Sequence, residues 1–160
     1  MMISKDSILN ACEKLILTNE ASISMRKIAA QIGCAPPSIY YYFDSKTQIL
    51  QALWDRVLEQ SQQYISKSYS QMEAYHLYIQ FWLERPLEFT TFIVDKDHPI
   101  DFKLSPDYQT ILSRFHEEDS RAKAIFATAH GVVMFIIHQK LNESESAALI
   151  NQSTLIIAHQ

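Results

Sequence analysis

Apolar residues recur along this chain three and four positions apart, from near its start almost to its end, which is the period of helices with one buried face. Ser4 is a suitable N-cap. Behind it Ile8, Leu9, Cys12, Leu15 and Ile16 fall on one side, so a first helix is predicted over 4–17. Ser24 caps a second helix with Met25, Ile28, Ala29 and Ile32 inward, and Gly33 ends it, since a left-handed residue there suits glycine. Pro36 and Pro37 open a third helix, where a first-turn N–H has no partner anyway. Its Ile39, Tyr42 and Phe43 can face the first two helices. Ser45-Lys-Thr-Gln48 is a capping box for a long fourth helix, striped by Ile49/Leu50, Leu53/Trp54, Val57/Leu58 and Tyr64/Ile65.

A fifth helix is predicted over 71–84. It stops at Arg85 because Pro86 disfavours the helical region for the residue before it. Pro86 then opens a sixth helix with Leu87, Phe89, Phe92 and Ile93. Residues 95–105 are a polar loop. A seventh helix follows Ser105-Pro106, striped by Tyr108, Ile111, Leu112 and Phe115, and two more are predicted over 120–141 and 144–159. No β alternation and no internal repeat interrupts this pattern. The expected fold is all-α: a three-helix N-terminal domain over 1–46, then a helical bundle over 47–160.

Composition sharpens the picture. Two glycines and five prolines in 160 residues leave few tight turns, and 48% apolar with 20% charged residues argues against disorder. No apolar run reaches the roughly 18 residues that span a bilayer. The opening MMISKDS lacks the basic stretch and apolar core of a signal peptide. With no such signal, the isolated thiols Cys12 and Cys34 fit a reduced, cytoplasmic setting. The net charge of −4 is unevenly spread: residues 1–50 hold five basic and four acidic side chains, a net +1, and the rest carries −5. So weak a positive balance makes geometry, not bulk charge, the argument for any nucleic-acid partner.

Ala29, Gly33 and Ile39 frame a helix-turn-helix: a small residue for close approach, a glycine for the turn, an aliphatic pin between the helices. Of the consecutive Tyr40, Tyr41 and Tyr42, a helix can bury one or two, and Phe43 competes for the inner face, so hydroxyls are left outside. The segment 24–50 resembles the DNA-binding domain of the tetracycline-repressor (TetR) family of bacterial transcription regulators. The agreement is at Arg26, Ile28, Ala29, Gly33, Ser38, Ile39, Tyr40, Phe43, Lys46 and Leu50, without a gap. The resemblance implies that Arg26 reaches a guanine edge or a phosphate. It implies that Pro36, Pro37, Ser38, Tyr41 and Tyr42 lie on the helix that meets the major groove of double-stranded DNA, and that Tyr40 and Lys46 hold phosphates. Ala35-Pro36-Pro37 departs from the family's hydroxyl cap and polar residue. Two prolines give no hydrogen-bond donor, so readout there is apolar contact, for example with thymine methyls, and weight shifts to Arg26, Ser38 and Tyr41.

The stretch AIFATAHGVVMFII at 124–137 is apolar nearly all round, so it must bury two faces, one against its own domain and one expected against a second copy of the chain; the competing reading is a central helix wholly buried in a monomer. With the final helix it predicts a two-fold four-helix seam that includes Val133, Ile137, Ile150 and Ile157. Gly131, about 1 kcal/mol worse than alanine in mid-helix, suggests a close helix approach there. An aromatic set, Tyr78, Trp82, Phe89, Phe92, Phe126 and His130, predicts a cavity for an apolar or aromatic effector; the competing reading is a packed core. Asp95-x-Asp97-His98-x-x-Asp101 lacks the glycine and closing glutamate of a calcium loop and reads as solvated. Glu117-Glu118-Asp119 reads as negative charge before a helix N-terminus. No metal site, cofactor or catalytic constellation is expected, which disfavours a helical-bundle enzyme. The reading is a cytoplasmic homodimeric transcription regulator, a repressor of a palindromic operator, with an effector-binding body. The alternative is a DNA-binding adaptor without an effector, controlled by a protein partner.

Overall fold

Ser4 and Ser7 close the first turn of the chain reciprocally: each backbone N–H donates to the other's hydroxyl, at 2.9 and 3.1 Å. In the computed structural model of the chain, residues 3–20, 22–94 and 120–158 are described. Helix α1, Lys5–Leu17, buries Ile8, Leu9, Ala11, Cys12, Leu15 and Ile16. Helix α2, Met25–Ile32, starts at Ser24, whose hydroxyl accepts from the Lys27 amide. Gly33 at φ 79° ends it in the left-handed region, and its N–H returns to the Ala29 carbonyl.

Helix α3, Pro36–Tyr40, is shorter than expected. The amides of Tyr42 and Phe43 both fold back on the Ile39 carbonyl, closing the helix before the next cap. Tyr41 and Tyr42, expected on the helix, therefore lie just beyond its end, although Tyr41 keeps helical backbone angles. Helix α4, Lys46–Ile65, begins where predicted, with the Gln48 amide on the Ser45 hydroxyl. The return half of the box is displaced by one residue, since the Gln48 side chain accepts from the Asp44 amide.

Helix α5, Gln71–Leu83, is capped by Ser70 and ends before Pro86. Helix α6, Pro86–Phe89, runs into a π-helical turn, Thr90–Val94. Helices α7, Ser120–Gln139, and α8, Glu143–Ala158, close the described chain. All regular structure among the described residues is helical. The expected loop at 95–105, the seventh helix with Tyr108, Ile111, Leu112 and Phe115, and Glu117–Asp119 lie outside the described residues.

Two compact units divide the chain inside α4, after Leu58: residues 87–94 belong with the first unit, and residues 59–86 and 120–158 form the second. In the first unit α2 packs on both α1 and α3. The whole predicted stripe of α4 down to Leu58 is buried there, with Trp54 against Phe92 at 5.2 Å between ring centres. Arg56 ties α4 to α1 through Asn10 Oδ1 at 2.7 Å and Glu13 Oε2 at 2.8 Å. In the second unit α7 packs on α5 and α8. The Ser153 hydroxyl hydrogen points at the Leu149 and Ile150 carbonyls, so Tyr75 of α5 donates to Ser153 Oγ, at 2.6 Å.

Candidate nucleic-acid interface

Wholly buried Ile39 sets the direction of α3, and the side chains turned away from it form the outer face of the helix-turn-helix. Pro37 and Tyr41 are exposed, Tyr41 to 86%, and Tyr40 is exposed to 53%. Pro36, Ser38 and Lys46 are half-buried, and Arg26 stands exposed on the first turn of α2. Proline at both opening positions and an alanine cap leave the start of α3 without any side-chain capping bond.

Tyr42 is turned differently. Its hydroxyl donates to the Ile3 carbonyl at 2.8 Å, so its hydrogen serves the domain, and its ring meets the Tyr41 ring edge-on at 5.4 Å. Tyr42 thus props the most exposed tyrosine while fixing residue 3 to the domain. Nothing in the local pattern signals this partnership across 39 positions. Also unforeseen is Lys5, whose ammonium lies 5.8 Å above the Phe43 ring.

Ion pairing sorts the cations of this unit. Lys27 is matched by Glu20 at 2.7 Å and Arg56 by Glu13 at 2.8 Å. Among the described residues, Lys5, Lys14, Arg26 and Lys46 make no ion pair in this unit. Cys12 is fully buried, and burial pushes its thiol up to about 12 against the opposing pull of Arg56. It is a packing residue.

The aromatic residues of the body divide between the units. Phe89 and Phe92 are buried in the first. In the second, the Tyr78 hydroxyl lies 2.8 Å from His130 Nδ1, Phe126 meets Tyr78 edge-on at 5.3 Å and stacks along His130, and Trp82 is buried beside Tyr78. Burial holds the His130 imidazole below its ordinary range. Val133 and Ile157, expected at a seam between copies, face inward and are buried within their own unit; Ile137 and Ile150 are half-buried. The rotation of α7 instead presents Ala124, Ala127, Gly131 and Phe135 outward. No helix among the described residues is long and apolar enough to cross a membrane.

Residues 8–53 match the family model of the bacterial regulatory proteins of the tetR family. Solved structures share the fold over nearly the whole chain. One is a protein described as regulatory, SCO4313, with a TM-score of 0.80 at 13% identity, covering 98% of this chain and 95% of that one. A second, assigned to the tetR family and from Shewanella sp. PV-4, has a TM-score of 0.70 at 15% identity, covering 98% and 96%. A transcriptional regulator from Rhodococcus sp. Rha1 gives 0.70 at 13% identity, covering 98% and 97%. No curated protein matches the sequence. The helix-turn-helix geometry and the family match over it agree: residues 8–53 form an N-terminal DNA-binding domain of the tetR family's type, and the chain shares its fold with transcription regulators of that family.

Proposed function

We propose that the chain is a cytoplasmic homodimeric repressor, with residues 1–46 reading a palindromic operator and residues 47–160 providing the dimer seam and an effector site. The observation that carries the DNA assignment is the outer face of the helix-turn-helix, where Arg26, Tyr40 and Tyr41 are exposed. Ser38 and Lys46 complete the contact set, with Arg26, Ser38 and Tyr41 toward bases and Tyr40 and Lys46 toward phosphates. Tyr42 is a positioning residue, because its hydrogen is committed to Ile3.

The seam is favoured by an apolar surface on α7 and α8. Phe135 is 53% exposed, Leu155 52% and Ile156 60%, and a groove of about 350 Å³ is lined by Thr128, Gly131, Val132, Phe135 and Leu149. A Cβ added at Gly131 would meet nothing within 4 Å. The chain's own packing therefore does not call for a glycine there, and the mid-helix cost of about 1 kcal/mol is explained by close approach of another surface. Two copies related by a dyad would bury this face in isologous fashion.

An apolar or aromatic effector is assigned to the second unit, against half-buried Phe126 and His130 and the buried rings of Tyr78 and Trp82, with the Tyr78 hydroxyl and His130 Nδ1 as the polar tips. Release of DNA requires tighter effector binding to the non-operator state; a 100-fold preference corresponds to about 2.7 kcal/mol. The test selects duplexes from a random pool with the full chain and sizes the complex by analytical ultracentrifugation. Enrichment of an inverted repeat bound by two chains is expected. Enrichment of a single asymmetric half-site bound by one chain would overturn the dimer.

A further inference from the structure

The start of α1 and the turn after α3 are tied together at two points. The Tyr42 hydroxyl donates to the Ile3 carbonyl at 2.8 Å, and the Lys5 ammonium stands 5.8 Å from the centre of the Phe43 ring. Tyr42 and Phe43 directly follow the exposed tyrosines Tyr40 and Tyr41, and the Tyr41 ring rests edge-on against that of Tyr42. Exposed Lys5, remote from this turn in sequence, is thereby brought beside the outer face of the helix-turn-helix. Beyond Phe43 on the other side, Lys46 opens α4.

An exposed lysine ordinarily sweeps its ammonium through many rotamers and loses that freedom on contact. For Lys5 the Phe43 ring attracts the cation from one side and narrows the range beforehand. The ammonium has three N–H donors, and among the described residues no carboxylate, carbonyl or hydroxyl accepts from it. Its acidic neighbours are no exception: Asp6 follows it on α1 and Asp44 follows Phe43, both exposed, and neither pairs with it. A phosphate oxygen is the acceptor that such a steadied cation suits, through charge-assisted hydrogen bonds. We infer that Lys5 binds a DNA backbone phosphate, one in each half-site, in addition to the phosphate assigned to Lys46. The inference rests on the DNA-reading assignment above and adds α1 to the elements that meet the duplex.

The experiment titrates the full chain with the duplex it enriches from a random pool, and with a random duplex, between about 50 and 200 mM salt. Lys5→Ala should flatten the slope of log affinity against log salt by about 0.9 for each chain bound, alike on both duplexes. Lys5→Arg keeps the charge and should keep the slope. Lys14→Ala is the control, since it removes an equal charge from the last turn of the same helix, where no aromatic ring among the described residues holds the cation. It should leave the slope nearly unchanged. Replacing each phosphate of the enriched duplex in turn by a neutral methylphosphonate should locate the contact. At one symmetric position the replacement should weaken the unaltered chain and have no effect on Lys5→Ala. Equal flattening by Lys5→Ala and Lys14→Ala would mean bulk charge alone and overturns the inference. So does an unchanged slope in Lys5→Ala, or the same methylphosphonate profile in both proteins. A duplex bound with a slope indifferent to Lys5 defeats this inference only. If no duplex is enriched at all, the DNA-reading assignment fails and the Lys5 contact falls with it.

Discussion

The Tyr42 hydroxyl donates to the carbonyl of Ile3 at 2.8 Å, joining the turn after the recognition helix to the residue just ahead of α1. The bond spans 39 positions of sequence and makes one tyrosine of three a structural member. Its neighbours Tyr40 and Tyr41 are exposed.

Tyr42→Phe and Tyr40→Phe should therefore separate. Removing the Tyr42 hydroxyl should lower unfolding free energy by about 1 kcal/mol and leave the Ile3 carbonyl without its partner. Removing that of Tyr40 should leave stability within about 0.5 kcal/mol and weaken operator and random duplexes alike. Denaturant melts paired with binding titrations decide it. Equal stability of the two variants would reject the structural role of Tyr42.

Salt dependence should resolve which cations meet phosphate. Each phosphate neutralised contributes about 0.9 to the slope of log affinity against log salt. In a dimer, Lys46→Ala removes two contacts and should flatten that slope by about 2. Lys27→Ala should leave it nearly unchanged, because Glu20 already neutralises that charge at 2.7 Å. Arg26→Ala should cost about 1–3 kcal/mol if the side chain reads a base, and relax selectivity at that base alone.

The apolar face of α7 gives two opposed expectations. Gly131→Ala should stabilise the isolated chain by up to about 1 kcal/mol, since the helix gains and nothing within 4 Å obstructs the added carbon. The same methyl should weaken self-association if two copies approach closely there. Phe135→Arg should give a monomer by sedimentation with its helix content intact. A dimer surviving Phe135→Arg would move the seam off this face.

His130 should make stability depend on pH in a definite sense. Its folded value is lowered from 6.5 by burial, so the folded state resists taking up a proton that the unfolded chain accepts. The stabilisation is complete above 6.5 and is lost as pH falls below it toward the depressed folded value. Denaturant midpoints at pH 7.5 and 5.5 should differ for the unaltered chain and differ less for His130→Gln. An unchanged pH response in that variant would remove His130 as the cause.

Local signals were legible wherever one residue decides the backbone. Ser4, Ser24 and Ser70 cap their helices, Gly33 takes φ 79°, and Pro86 stops α5. The helix-turn-helix is equally legible, since Ala29, Gly33 and Ile39 act at short range. The rotation of α7 was not. A helix apolar on every side carries no periodicity to say which residues face inward, and tertiary packing chose Val133 for the core and Phe135 for the surface. The Tyr42–Ile3 bond was illegible for a different reason: no spacing rule reaches across so many positions. The end of α3 carries no signal of its own, because it is set by the cap that follows and not by its own side chains.

The five residues of α3 are too few to hold a helix by themselves, so the element exists only while Ile39 remains seated. That arrangement divides labour within one turn of backbone. Ile39 answers to the fold, while the side chains of Pro37 and Tyr41 are exposed, Tyr41 with its ring propped by Tyr42. Mutations on the outward ridge can accumulate in a lineage with little penalty to folding, so descendants of this sequence are free to acquire new DNA preferences on an inherited scaffold.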